Sequence, residues 1–264
     1  MKLIFSKYEG AGNDFILIDA RQQLPFPLND QPLIERLCDR HFGIGADGLM
    51  LLRNKEGYDF EMIYYNSDGQ PSSMCGNGGR CIVAFAADLG IKKDIYSFLA
   101  VDGPHTASIQ PDGNISLGMS DVQHIERNSD HYVLDTGSPH YIAYVDDAST
   151  IDLVPAAKRI RYNDRFAAEG INVNFVNEST GGLDISTYER GVEDETLACG
   201  TGVTAAAISL ALRNNLAPKQ SFDYLVNAKG GKLRVTGKLT SAGVFTRLQL
   251  IGPATYVYSG IYGR

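Results

Sequence analysis

CIVAFAADL, residues 81–89, is apolar nearly all round. Wound as a helix it has no polar face, and such a helix must be buried on every side. It stops at Gly90, a residue suited to the position just past a helix, with Lys92 and Lys93 beyond. Val203-Thr-Ala-Ala-Ala-Ile-Ser-Leu-Ala-Leu212 has the same character and ends before Asn214, Asn215 and Pro218. Most other patterned stretches read as strands: Phe15–Ile18, Phe60–Tyr65, His105–Ile109, Asn114–Leu117, Tyr141–Val145, Val173–Val176, Leu183–Tyr188, Lys232–Val235, Thr246–Ile251 and Thr255–Tyr258. Gly, Asp, Asn and Pro punctuate them. One amphipathic helix is expected over 31–40, where Leu33, Ile34 and Leu37 share a face. In a strand-rich chain the natural wrapping for an apolar helix is a curled sheet. The expected fold class is therefore α+β, with two pseudo-symmetric halves, each a curled, mainly antiparallel, barrel-like β-sheet around a central buried helix.

The halves match in more than their helices. Cys75 and Cys199, Gly76 and Gly200, and Gly78 and Gly202 share one spacing, and Gly12-Asn13-Asp14-Phe15 is answered at nearly the same spacing by Gly137-Ser138-Pro139-His140. A constant offset near half the chain length points to duplication. The boundary is placed near Ser120, where MSDVQHIERNSD is polar and irregular. Residues 1–119 then carry Cys75 and residues 120–253 carry Cys199.

Composition excludes several classes of function. The 264 residues carry a net charge of −7 with no basic tract, so no nucleic-acid partner is expected. No apolar run approaches the ~20 residues that span a bilayer, so no membrane partner is expected. The N-terminal MKLIFSKYEGAGNDF lacks the apolar core and small-residue cleavage site of a signal peptide, which predicts a cytoplasmic protein. Four cysteines without a CxxC pair and five scattered histidines give neither a disulfide scaffold nor a metal site. Gly43-Ile-Gly45-Ala-Asp-Gly48 fits the G-x-G-x-x-G pattern of dinucleotide binders. That fingerprint needs a strand before it and a helix after it. Here the order is reversed, so the stretch is read as a loop and no nicotinamide cofactor is expected.

Cys38 and Cys81 read as inert packing, since apolar surroundings penalise a thiolate. Cys75 and Cys199 differ, because each immediately precedes the glycines that open a helix. Unpaired N–H groups and the helix dipole favour anions there and lower a thiol pKa. The adjacent glycines would let a substrate approach bare backbone. Two such cysteines in matched positions point to one site with the thiols facing each other. Two chemistries fit a thiol pair: closure of a disulfide, or proton exchange at carbon. In the second, one thiolate removes a proton from one face and the opposite thiol returns one to the other. No Lys context for a pyridoxal Schiff base is visible, so no cofactor is expected.

Across its whole length the chain resembles the diaminopimelate epimerases. The motifs that carry the resemblance are GAGNDFILID (10–19), DRHFGIGADGL (39–49), YNSDG (65–69), MCGNGGRC (74–81), GSPH (137–140), INVNF (171–175), YERG (188–191), ACGTG (198–202) and GPATYVYSG (252–260). The resemblance implies interconversion of LL- and meso-diaminopimelate without pyridoxal phosphate, with Cys75 and Cys199 as the acid–base pair. It places the reacting α-carboxylate on the backbone of Gly76-Asn77 and Gly200-Thr201. Glu189 and the Arg190 backbone would hold the α-ammonium. The Arg190 side chain, Asn66 and Asn172 would recognise the distal amino-acid centre, with Asn13 lining the same pocket and His140 near the thiols. The last strand, about 254–264, would return to the first half, and a homodimer would fit an exposed sheet edge. The sequence departs from the family at Ser138, where many members have asparagine, at Gly48, and in the acidic link Val192-Glu193-Asp194-Glu195. Two other readings stand beside this one: a proline or hydroxyproline racemase of the same superfamily, and a thiol redox or ligand-binding protein.

Overall fold

The computed structural model of the chain describes residues 2–22, 27, 30–72 and 74–263. They form two compact units, one of residues 1–117 with 252–264 and one of residues 118–251.

The first unit begins with β1 (Leu3–Gly10) and β2 (Asn13–Asp19), then α1 (Gln31–Cys38), β3 (Gly48–Arg53) and β4 (Phe60–Asn66). It continues through α2 (Gly76–Asp88), β5 (Tyr96–Ala100), β6 (Gly103–Ile109) and β7 (Ile115–Gly118), and it recruits β17 (Thr255–Tyr262) from the far end of the chain. Its strands run β17-β1-β2-β3-β4-β5-β6-β7, antiparallel except where β2 meets β3 and β4 meets β5. A parallel neighbour requires a crossover, and a helix supplies each one: α1 links β2 to β3, and α2 links β4 to β5.

The second unit holds β8 (Ile125–Arg127), β9 (His131–Asp135), β10 (Pro139–Tyr144), α3 (Leu153–Arg161), β11 (Asn172–Ser179) and β12 (Gly182–Glu189). The short β13 (Asp194–Thr196), α4 (Gly200–Arg213), β14 (Ser221–Ala228), β15 (Gly231–Leu239) and β16 (Phe245–Gly252) follow. Its ladder is β8-β9-β10-β11-β12-β14-β15-β16, again antiparallel except at β10–β11 and β12–β14. The two units therefore repeat the same succession of strand directions and the same two helical crossovers.

The two helices of each unit do different work. In the first unit Ile34, Leu37 and Cys38 of α1 join Ile16, Ile18, Leu49 and Leu51 in one cluster on the sheet. Asp30 caps α1 by accepting from the Leu33 N–H. In the second, Leu153 and Ala157 of α3 pack with Ile171, Val173, Phe175 and Tyr188. The opposite face of each sheet takes the apolar helix: α2 lies on β1, β2, β3, β6 and β17, and α4 on β9, β10, β11, β12, β14 and β15. Strands covered on both faces read as continuous apolar runs, and in Leu49–Leu52 every residue is fully buried.

Both apolar helices begin at the glycines that follow the cysteines, Gly76 and Gly200, as the sequence predicts. The 31–40 helix stops at Cys38, and residues 43–47 form a loop between α1 and β3. Helix α3, absent from the sequence expectations, has Pro155 in its first turn, where the missing N–H costs nothing. Among the described residues no helix is long and apolar enough to cross a membrane.

Gly182 stands where β12 starts against β14. A Cβ there would lie 1.6 Å from the Leu225 carbonyl oxygen, a backbone atom that cannot swing away. Gly182→Ala is expected to cost about 2–4 kcal/mol, seen as a lowered urea midpoint with unchanged slope; a midpoint equal to wild type would contradict the packing of β12 on β14.

Candidate functional site

Cys75 and Cys199 occupy matching backbone positions. Each is the N-cap residue, extended at φ −110°, ψ 126° for Cys75 and φ −108°, ψ 112° for Cys199, and neither side chain caps its own helix. The first N–H groups of a helix have no partner within it, and the peptide dipoles concentrate positive charge there. Cys75 is half-buried and Cys199 buried, and all four cysteines are free thiols. Burial pushes the Cys38 thiol up to about 12 and the Cys81 thiol up as well.

In the first unit, Asn13 opens β2 beneath Cys75. Its Oδ1 lies 3.6 Å from Cys75 Sγ and accepts from Asn77 Nδ2 at 3.5 Å. Asn13 Nδ2 donates to the Asp47 carboxylate at 2.6 Å. Asp47 is paired with Arg40, which also pairs with Asp14, and Lys7 binds both Asp14 and the Gly45 carbonyl. Burial alone would raise the Asp14 carboxyl, yet the Arg40 and Lys7 hydrogen bonds hold it well below the usual carboxylate range. This ion network ties the 43–47 loop to β1 and β2. Arg80, wholly buried in α2, donates to the Gly76 carbonyl, Asn77 Oδ1 and the Pro253 carbonyl. Burial works against its cation. Gly78 and Gly79 face the methyl groups of Met50 and Met74, so their missing side chains make room for packing rather than for a ligand. Asn66 ends β4 and is exposed.

The second unit builds a different set around Cys199. Cys199 Sγ lies 3.3 Å from Thr201 Oγ1, and Thr201 Oγ1 lies 2.8 Å from His140 Nε2. His140 is fully buried on β10. Burial lowers its pKa to about 3, helped by the Arg190 charge, so the ring is neutral. Asn174 Nδ2 contacts His140 Nδ1 at 3.1 Å. Gly202 makes this close approach possible: a Cβ there would sit 2.6 Å from Asn174 Oδ1. The loop before β10 is pinned to the helix by the Thr136 hydroxyl, which donates to the Thr201 carbonyl at 2.8 Å.

Asn172, Ser138 and Arg190 form one cluster. Asn172 donates to Ser138 Oγ at 2.8 Å and to the Pro139 carbonyl at 2.9 Å, and accepts from the Arg190 N–H at 2.9 Å. Both amide protons of Asn172 are thus spent within the unit. The Arg190 side chain is exposed, with one nitrogen 3.4 Å from Ser138 Oγ and another donating to the Glu169 carbonyl at 3.1 Å. Burial pushes the neighbouring Glu189 carboxyl up.

Sequence reasoning missed Arg80, Asn174 and Glu193. Glu193 sits in the acidic link at φ 59°. Its carboxylate accepts from Arg161 (3.0 Å), the Tyr162 hydroxyl (2.8 Å), the Tyr188 hydroxyl (3.0 Å) and the Gly191 N–H (3.3 Å). The acidic link is thus the anchor that fixes the turn between Arg190 and Cys199. Composition hides such a role, because a glutamate in a loop normally faces solvent.

A model of the diaminopimelate epimerase family matches residues 5–125 and 132–254. The chain is 48% identical over 253 residues to the diaminopimelate epimerase of Flavobacterium psychrophilum, covering 96% of this chain and 97% of that one. It is 41% identical to the diaminopimelate epimerase of Chlorobaculum tepidum, covering 95% and 98%. Among solved structures it is similar to a Bacillus anthracis phenazine biosynthesis protein of the PhzF family (TM-score 0.76, 12% identity, all of both chains). It is also similar to a hydroxyproline epimerase from Agrobacterium vitis (TM-score 0.69, 15% identity, 98% and 92% covered). At those identities the two structures show the shared fold alone.

Burial alone would raise the Glu193 carboxyl, but its four donors hold it at about 2, below the ordinary 4.5. A depressed folded-state pKa contributes stability that is present above about pH 4.5 and is lost as pH falls toward 2. Glu193→Gln is expected to destabilise most at neutral pH, with its difference from wild type closing on acidification. Urea midpoints at several pH values test this; a difference that stays constant or widens in acid contradicts the anchoring role.

Proposed function

The chain belongs to the diaminopimelate epimerase family, and on that premise we propose that Cys75 and Cys199 are the acid–base pair of its reaction. Membership makes it an isomerase of lysine biosynthesis that interconverts LL- and meso-diaminopimelate. The observation that carries the mechanistic proposal is the repeated N-cap geometry: two free thiols, each at the open end of an apolar helix, with the same extended backbone.

One sulfur takes the α-proton as a thiolate, and the other delivers a proton to the opposite face as a thiol. The electron pair left at Cα delocalises into the adjacent carboxylate, and charge developing there is stabilised by fixed donors. The backbone N–H groups at Gly76-Asn77 and Gly200-Thr201 are suited to that task. Glu189 and the Arg190 backbone take the α-ammonium. Arg190, Asn66 and Asn13 suit a distal amino-acid centre, with Asn172 and Ser138 bracing Arg190. A proline-type substrate has no second charged centre to use them. A cytoplasmic homodimer without nucleic-acid or membrane partners belongs to the same reading, consistent with the net charge of −7.

Cys75→Ala and Cys199→Ala are each expected to lower epimerisation of LL-diaminopimelate by about a thousandfold or more. Deuterium entry at Cα in heavy water, followed by NMR, is the measurement. Full turnover by either variant rules out the pair. Exchange into proline but not diaminopimelate would move the chain to the racemases.

A further inference from the structure

The stretch Gly43-Ile44-Gly45-Ala46-Asp47-Gly48 has a dinucleotide binder's glycines without the context, and the acid–base chemistry leaves it without a task. Its seat in the first unit suggests one, because the loop is pinned from three sides. On α1, the N–H groups of Ile44 and Gly45 donate to the Leu37 carbonyl at 2.9 and 3.1 Å, and that of Ala46 donates to the Cys38 carbonyl at 3.0 Å. A Cβ at Gly43 would lie 2.0 Å from the Arg36 carbonyl oxygen, so glycine is what lets the loop lie this close to the helix. On β1, the Lys7 ammonium binds the Gly45 carbonyl. On β4, a Cβ at Gly48 would lie 2.6 Å from the Tyr65 carbonyl oxygen. Asp47 stands between these fixed points, and its N–H donates to the Asp14 carbonyl and to Asp14 Oδ1, each at 3.0 Å.

The Asp47 carboxylate is surrounded by donors. Its Oδ1 takes the Arg40 guanidinium at 2.7 Å, and its Oδ2 takes the Asp14 N–H at 3.3 Å and the Asn13 side chain at 2.6 Å. An asparagine amide can turn either way, and its partners decide which. A carboxylate paired with arginine only accepts, so the Asn13 atom beside it is the amide nitrogen. Asn13 Oδ1 then faces the opposite way, toward the N-terminus of α2, where it lies 3.5 Å from Asn77 Nδ2 and 3.6 Å from Cys75 Sγ. An ammonium is a stronger donor to that oxygen than either a thiol or an amide at such length.

We propose that Asp47 is a positioning residue that turns Asn13 oxygen-first toward the substrate, so that Asn13 accepts from the ammonium of the non-reacting amino-acid centre. An amide oxygen and a carboxylate both only accept, whereas an ammonium only donates. The polarity of this one side chain therefore decides which group of a zwitterionic centre can lie against it, and a reversed amide would admit the carboxylate instead. The Lys7–Asp14–Arg40 ion pairs gain a purpose in the same chain of contacts: they hold the Asp47 carboxylate, and the carboxylate holds the amide.

The assignment rests on the reading of Asn13 as a lining of the pocket for the distal centre, and its test separates the two. Asp47→Asn keeps the shape of the side chain but can donate, which releases the Asn13 amide to reverse. The probes are LL-diaminopimelate as substrate and 2-aminopimelate as inhibitor; the second keeps the reacting centre and both carboxylates but lacks the second ammonium. Asp47→Asn is expected to raise KM for LL-diaminopimelate about tenfold, with kcat and the inhibition constant of 2-aminopimelate each within about twofold of wild type. Asn13→Ala should raise KM by a similar factor, and adding Asp47→Asn to it should raise KM no further. An unchanged KM, an inhibition constant that rises in step with KM, or additive effects of the two substitutions overturns the positioning role. NMR of the substrate-free wild type needs no variant. The Asn13 side-chain amide protons should lie downfield of those of exposed asparagines, as a charge-assisted bond to Asp47 requires, and a position among the exposed ones overturns the assignment. Failure of the epimerase reading would appear instead as wild-type protein that does not turn over LL-diaminopimelate while the Asn13 amide stays downfield.

Discussion

The structure depends on one constraint: a helix with no polar face cannot meet water. Helices α2 and α4 are apolar on nearly every side, and each is laid against the curled sheet of its unit. Once the body of such a helix is enclosed, its N-terminus is the part left to do chemistry. The residue just ahead of the first turn has an extended backbone and lies at the positive end of the helix dipole. Both units place a cysteine there. The same burial that stabilises the fold thereby fixes where two thiols and two sets of anion-binding donors lie.

Duplication supplies two frames, and divergence within them supplies the chemistry. The ladders repeat strand for strand, but the residues under the thiols do not. Phe15 in the first unit answers to His140 in the second, and Arg80 answers to Thr204. One unit surrounds its cysteine with an ion network and two amides. The other uses a neutral imidazole, a hydroxyl and one amide. The two cysteines, alike in backbone, therefore differ in the groups that surround them.

Much of this was legible in the sequence because apolar periodicity reports burial. CIVAFAADL and Val203–Leu212 predicted the two central helices and hence the wrapped sheets, while the Cys-Gly pairs marked their mouths. The misses have specific causes. Strand β1 hides because Lys7 faces inward, its ammonium held by Asp14 and the Gly45 carbonyl, which breaks the alternation. Helix α3 hides because its polar face carries Lys158, Arg159 and Arg161 and its first turn carries a proline. Arg80 follows a glycine-rich stretch and Asn174 lies within INVNF, and both are fully buried. Their importance comes from long-range partners, Pro253 for one and His140 for the other, which local pattern does not encode.

The return of β17 to β1 makes the first unit discontinuous in the chain. A ribosome releases residues in order, and domains close as their segments emerge. The second unit is contiguous and its strands are all made before β17. The first, although its other strands emerge earliest, must wait with an open seam along β1. Pro253, whose carbonyl receives the buried Arg80, is made on the far side of that delay. The arginine beside Cys75 thus acquires its full set of partners only after the whole of the second unit has been made.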